Sequence, residues 1–206
     1  MKVLLVNGSP RPNGCTNRAL TEIANELQKN DIETQIFHIG NKPISGCIAC
    51  NVCYKRGQCF MEDKVAEFAE LAKTADGFMF GSPVYFAGIN GSLKSFMDRL
   101  FYSQKKIFHL KPTAGIISLR RGGATPAFDQ LNKYFTIRQM PIISSQYWNM
   151  VHGNTPEEVE KDAEGLQIMR TLGKNMAWLL KCIKAGEQSG IAHPENEPQI
   201  RTNFIR

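Results

Sequence analysis

Five short apolar runs alternate with stretches of helical periodicity along this chain, and that alternation limits its fold more than any other feature. KVLLVN, residues 2–7, is continuously apolar and partly β-branched, as expected of a strand buried on both faces. A helical pattern follows, with Leu20, Ile23, Ala24 and Leu27 on one stripe. Residues 33–39 read as a second strand, and Val65, Phe68, Ala69 and Ala72 then mark a second helix. GFMFGSPVY, residues 77–85, reads as a third strand ending at Pro83; Leu93, Phe96, Met97 and Leu100 follow at helical spacing. TAGIISL, residues 113–119, is a fourth strand, with a helix expected from about 124 to 138. PIISSQYW is expected to start a fifth strand, and the last helix to span about 156–183. Such alternation argues for an α/β chain with an open parallel sheet and helices on both faces.

In a sheet of that kind, ligands bind outside the carboxyl ends of the strands, where the strand order reverses. The loops after strands one, three and four are GSPRPNGCTN, SPVYFAGING and RRGGAT, the three least ordinary in the chain. In the first, small residues lead into a helix start, whose amides and partial positive charge favour phosphate. Ser9 and Thr16 offer hydroxyls and Arg11 a guanidinium fork. It is neither a Walker loop nor a dinucleotide fingerprint. The plainer reading is an ordinary turn with Thr16 as the helix cap. The second loop sets Pro83, Tyr85 and Phe86 beside Gly88 and Gly91, which suits a flat conjugated ring; packing of Tyr85 and Phe86 into the core is the alternative. The third loop, Arg120 to Gly123, combines charge with backbone access to a ring edge or a second phosphate.

Four of the six cysteines fall within thirteen residues, as Cys47, Cys50, Cys53 and Cys59. They are too close to pair comfortably as two disulfides. The two Cys-x2-Cys units share Cys50, which suits zinc poorly. A cuboidal iron–sulfur cluster, with irons at separate corners, suits one tight loop better. Gly46 and Gly57 offer backbone freedom at its two ends. The spacing departs from the bacterial ferredoxin run, and Phe60 rather than proline follows the last cysteine. Reduced thiols or a redox-active pair form the alternative. Cys182 reads as a packed thiol late in the last helix. Lys94 and Asp98 are spaced to pair on one helix face, and Arg99 reads as a structural salt link to another element. Trp148 is expected in the core or at a subunit interface.

The net charge is +6, with a pI near 9.0, yet basic residues are scattered and no basic run reaches five. Attraction of phosphorylated cofactors accounts for that charge without nucleic acid. KVLLVN is too short for a signal segment, and no apolar run nears the roughly 18 residues of a membrane span. With clustered cysteines, this leads to the expectation of a cytoplasmic protein.

The ordered set GSPRPNGCT, SPVY followed by LKSFMDR, and RRGG resembles the flavodoxin-like NADPH-dependent FMN reductase family. With the cysteine run added, the chain is similar to the iron–sulfur flavoproteins within that group, down to the terminal TNFIR. The resemblance implies one flavodoxin-like domain over residues 1–206, with a five-stranded parallel sheet of order 2-1-3-4-5. It would carry a cysteine-rich loop at about 43–61 and an irregular tail at about 185–206. It implies one FMN per subunit and a homodimer or homotetramer. By position, Ser9, Arg11, Asn13, Cys15 and Thr16 would surround the FMN phosphate. Pro83, Val84, Tyr85 and Phe86 would lie along the isoalloxazine ring, and Arg120, Arg121, Gly122 and Gly123 would close the pocket. Cys47, Cys50, Cys53 and Cys59 would hold a four-iron four-sulfur cluster. Cys15 stands where the family often has Ser or Asn; it reads as a thiol of lowered pKa or as a spacer whose amide does the binding. The expected function is electron transfer by a flavin-dependent oxidoreductase, with NAD(P)H as a candidate co-substrate, small-molecule or protein redox partners, and no side-chain acid or base. The rivals are a cluster-free NAD(P)H-dependent reductase of flavin, quinones, nitro or azo compounds, and a flavin-binding regulator without turnover.

Overall fold

The computed structural model describes residues 1–204; the last two residues of the tail and of TNFIR lie outside them. Six strands form the sheet. β1 (Lys2–Asn7) sits between β2 (Glu33–His38) and β3 (Gly77–Tyr85), and β3 leads outward to β5 (Thr113–Leu119) and β6 (Met150–His152). The parallel path is β2-β1-β3-β5-β6, which is the expected 2-1-3-4-5 only when the unexpected β4 (Gly88–Ile89) is set aside. That added strand folds back antiparallel on β3, pairing Val84 with Ile89 and Tyr85 with Gly88. β3 therefore runs past Pro83, which keeps a ladder position opposite Ser118.

The continuous apolar reading of β1 has a direct cause: both of its faces are covered. Leu4 and Val6 point with Phe78 and Phe80 into a core completed by α3 (Lys64–Ala72), α4 (Gly91–Ser103) and α5 (Ala124–Thr136). Val3 and Leu5 point with Met79 and Ile116 into the opposite core, under α1 (Cys15–Gln28) and α7 (Ala163–Gln188). Alternation with period two thus divides one apolar run between two layers.

Several boundaries differ from expectation. PIISSQYW is not a strand. It touches β5 through a single bridge, Thr113 to Ile142, and is then drawn toward α7: Ser145 Oγ donates to the Ile168 carbonyl at 2.8 Å, and Asn175 Nδ2 to that of Ser144 at 2.9 Å. The sheet is rejoined only at β6. The expected last helix is two helices, α6 (Pro156–Val159) and α7, because Asp162 caps α7 by accepting from the Gly165 amide at 2.9 Å. α7 also runs to Gln188, so the start of the expected irregular tail is helical; it ends at Gly190 (φ +80°), where the Ile191 amide reaches back to the Gly186 carbonyl. The cysteine loop holds a short helix, α2 (Val52–Arg56). Among the described residues, no helix is long and apolar enough to cross a membrane.

Candidate functional site

The strand order reverses between β1 and β3, and an open cavity of about 200 Å³ lies there at the carboxyl ends of the strands. Its lining brings together Ser9, Arg11, Cys15 and Thr16 from the first loop, Pro83, Val84 and Tyr85 from the second, and Arg120 from the third. Two arginines and no carboxylate line it, so the local field favours an anion.

The first loop is held from several sides. Asn7 Oδ1 accepts from the Ser9 amide at 3.0 Å, and Ser9 Oγ accepts from the Arg11 amide at 3.1 Å. His38 Nε2 donates to the Ser9 carbonyl at 2.8 Å. α1 begins at Gly14 with no side-chain cap, which leaves its first amides available to a ligand. Thr16 is therefore not the cap that the plainer reading made it. It is buried, and its hydroxyl lies 2.7 Å from that of Ser118 on β5. Cys15 donates its thiol to the Gly153 carbonyl at 3.5 Å. Burial pushes that thiol above its ordinary pKa, outweighing its own amide and Arg11, so the lowered pKa once weighed for Cys15 does not hold.

Tyr85 and Phe86 lie outside the core: Tyr85 is 44% exposed and Phe86 fully so. Phe86 and Ala87 turn with positive φ, 49° and 59°, and Gly123, at φ +90°, packs so tightly beneath that an added Cβ would meet Ala87 Cα at 2.8 Å. Phe86, Arg121, Gly122 and Gly123 sit beyond the cavity lining, and Asn13 lines a neighbouring hollow with Arg11 and Asn154. The sequence reading missed Ser118, Gly153 and Asn154, which also line the cavity. Ser118 is the penultimate residue of a strand that the apolar pattern marks. Gly153 follows a strand that had been drawn too early.

All six cysteines are free thiols; Cys182 is exposed rather than packed. Cys47, Cys50, Cys53 and Cys59 line one narrow cleft, with room for about 20 Å³, together with Arg99 and Tyr102 of α4. The turns that gather them are left-handed residues at Ala49 (φ 55°), Asn51 (φ 60°) and Gly57 (φ 72°); Gly46 is not among them. Tyr54 of α2 ties the loop to α4, its hydroxyl 3.0 Å from that of Tyr102. Among the described residues, no three of His, Cys, Asp and Glu converge as a single metal-ion site. Lys94 pairs with Asp98 as expected, at 3.4 Å, and the buried Arg99 makes an ion pair with the partly exposed Asp63, the cap of α3. Trp148 is half-exposed.

The family model described as NADPH-dependent FMN reductase matches residues 1–155. An iron–sulfur flavoprotein of Methanocaldococcus jannaschii is 34% identical over 193 residues, covering 89% of this chain and 100% of that protein. The structure of RosB with bound 8-demethyl-8-formylriboflavin-5'-phosphate aligns with a TM-score of 0.70 at 14% identity, covering 100% of this chain and 92% of that one. A flavodoxin from the domain Archaea aligns at 0.59 and 17% identity, covering 88% and 99%. These likenesses make the fold flavodoxin-like.

Proposed function

Because this chain belongs to the NADPH-dependent FMN reductase family, and is thereby a flavin-dependent oxidoreductase, we propose that it transfers electrons between FMN and an iron–sulfur cluster. What supports the second half is that four thiols from thirteen residues line one cleft. A single tetrahedral ion asks for thiolates within about 2.3 Å of one centre. A group with irons at separate corners asks for thiolates spread around a larger body.

For FMN, the first loop supplies what a terminal phosphate needs: the uncapped amides of α1, the Ser9 and Thr16 hydroxyls and the Arg11 guanidinium. Pro83, Val84 and Tyr85 offer backbone and apolar surface for the ring, and Arg120 stands across from them. Asn13, Phe86, Arg121, Gly122 and Gly123 act around this core of the site, Gly123 by holding the 84–87 turn. When bound, the flavin handles electrons in pairs or singly and the cluster takes them singly. The chain's own part is to bind, orient and insulate. Exposed Phe86, Trp148 and Trp178 support assembly as a homo-oligomer, in which a neighbour covers the open ring-side turn; light scattering at micromolar concentration should return a multiple of the chain mass, and a monomer mass would reject it.

The test is protein purified without oxygen, assayed for iron, sulfide, zinc and released flavin. FMN with iron and sulfide in equal measure is the expected result. Ala variants of Cys47, Cys50, Cys53 and Cys59 should each lose iron and sulfide together while keeping FMN; those of Cys15 and Cys182 should keep the cluster. Iron-free protein after anaerobic reconstitution would leave a cluster-free reductase, and FAD in place of FMN would overturn the phosphate reading.

A further inference from the structure

Arg99 is only 1% exposed and is, among the described residues, the largest fully buried side chain. It lies on α4 among Phe96, Met97 and Leu100, where a leucine would satisfy the helix pattern. A buried guanidinium must be paired and hydrogen-bonded. What it pairs with is the cysteine loop, at both ends. At the entry, Nη1 donates to the Ser45 carbonyl at 3.4 Å. At the exit, Nη2 donates to Asp63 Oδ1 at 3.1 Å, to the Met61 carbonyl at 3.5 Å and to Cys59 Sγ at 3.3 Å. Asp63 also accepts from the Val65 amide, so its carboxylate is shared between the start of α3 and the arginine. Nε has no partner among the described residues. All four clustered cysteines lie between the two ends that this one side chain holds.

We infer that Arg99 is the positioning residue of the cysteine site: it closes the loop at its base and hydrogen-bonds the sulfur of Cys59. This rests on the cluster reading for its electronic consequence and on nothing beyond the chain for its anchoring. A cation donating to a ligand sulfur favours the more negative, reduced state of the group that sulfur holds. Arg99 therefore raises the reduction potential of a cluster at this site and leaves that of the flavin alone.

The anchoring is read on metal-free protein by hydrogen exchange. Arg99→Met leaves Asp63 without its cation, so the companion variant is Arg99→Met with Asp63→Ser, which removes both charges and keeps a capping hydroxyl for α3. In both, amides of residues 45–63 should exchange at least tenfold faster than in the wild type, with β1 and β3 unchanged. Equal protection of the loop in the double variant would overturn the anchoring. The sulfur contact is read by anaerobic potentiometry of reconstituted protein. The cluster midpoint should move negative in the double variant and less so in Arg99→Lys, which keeps the charge but not the fork; the flavin midpoint is the internal control. A loaded variant with an unshifted cluster midpoint would overturn the role at Cys59 and leave the cluster standing. Wild-type protein that takes up no iron, but whose loop loosens without Arg99, would overturn the cluster and uphold the anchoring.

Discussion

Replacing Thr16 with Val keeps the shape of a buried side chain and removes one hydroxyl from the floor of the flavin cavity. In the folded chain that hydroxyl faces Ser118 at 2.7 Å; Thr16 is 1% exposed and Ser118 3%. A hydroxyl has one proton to donate and two lone pairs. If Thr16 donates to the phosphate, Ser118 must donate to Thr16, and one substitution breaks both links. In flavin-free protein the stranded Ser118 hydroxyl should cost about 1–3 kcal/mol, against a total stability on the order of 5–15 kcal/mol. In the complex, loss of a hydrogen bond to a charged group, about 1.5–3 kcal/mol, should weaken FMN binding roughly 10- to 150-fold. Thr16→Val combined with Ser118→Ala strands nothing, so its stability loss should fall short of the sum of the single losses by about 0.5–3 kcal/mol. The assays are urea unfolding of the flavin-free proteins and quenching of FMN fluorescence on titration. Strict additivity of the two substitutions would refute the buried pair, and unchanged FMN affinity in Thr16→Val would refute its reach to the phosphate.

Arg11→Glu should weaken FMN binding by roughly tenfold or more, since two unit charges about 4 Å apart in water already interact by about 1 kcal/mol; the loss should shrink as salt is raised, and equal flavin content in wild type and variant would remove Arg11 from the site. Gly81→Ala places a Cβ 2.7 Å from Thr16 Cγ2 and 3.1 Å from Leu20 Cδ1, so it should destabilise by about 1–3 kcal/mol and push α1 off the sheet; an unmoved urea midpoint would show that α1 yields freely. Burial raises the Glu22 carboxyl pKa, but Arg170 of α7 and Arg18 of α1 outweigh it and hold the group below its ordinary value. A depressed folded pKa adds stability above the unfolded pKa of about 4.3 and loses it as pH falls through the folded value. Glu22→Gln should therefore reduce stability near neutrality and flatten its decline in acid; a parallel pair of stability curves would argue against it.

The parts of the fold that were legible share a cause. β1 and β3 are buried on both faces over most of their length, so their central residues are apolar or small and each run stands out against its neighbours. α1, α3 and α4 each bury one stripe, and the stripe repeats at helical spacing. β6 was misplaced because three residues at a sheet edge carry almost no periodic signal, while Ile142 and Ile143 just before it resemble a strand that α7 then pulls away. The first loop could be placed at the cavity because small residues between a strand and a helix have few other uses. Asn154 could not, because it enters the cavity only through the return of a strand whose position no local pattern marks.

The residues by themselves determined the layers, the strand order by family likeness, the three loops that meet, and the thiols that share one segment. These depend on spacing along the chain, and spacing is written in the sequence. The tertiary structure alone decided that Thr16 meets Ser118 across 102 positions, that burial raises rather than lowers the pKa of the Cys15 thiol, and that Arg99 reaches back 40 positions to Cys59. Each depends on groups that lie on different segments of the chain. The chain names both partners, but only packing brings them within a hydrogen bond of each other.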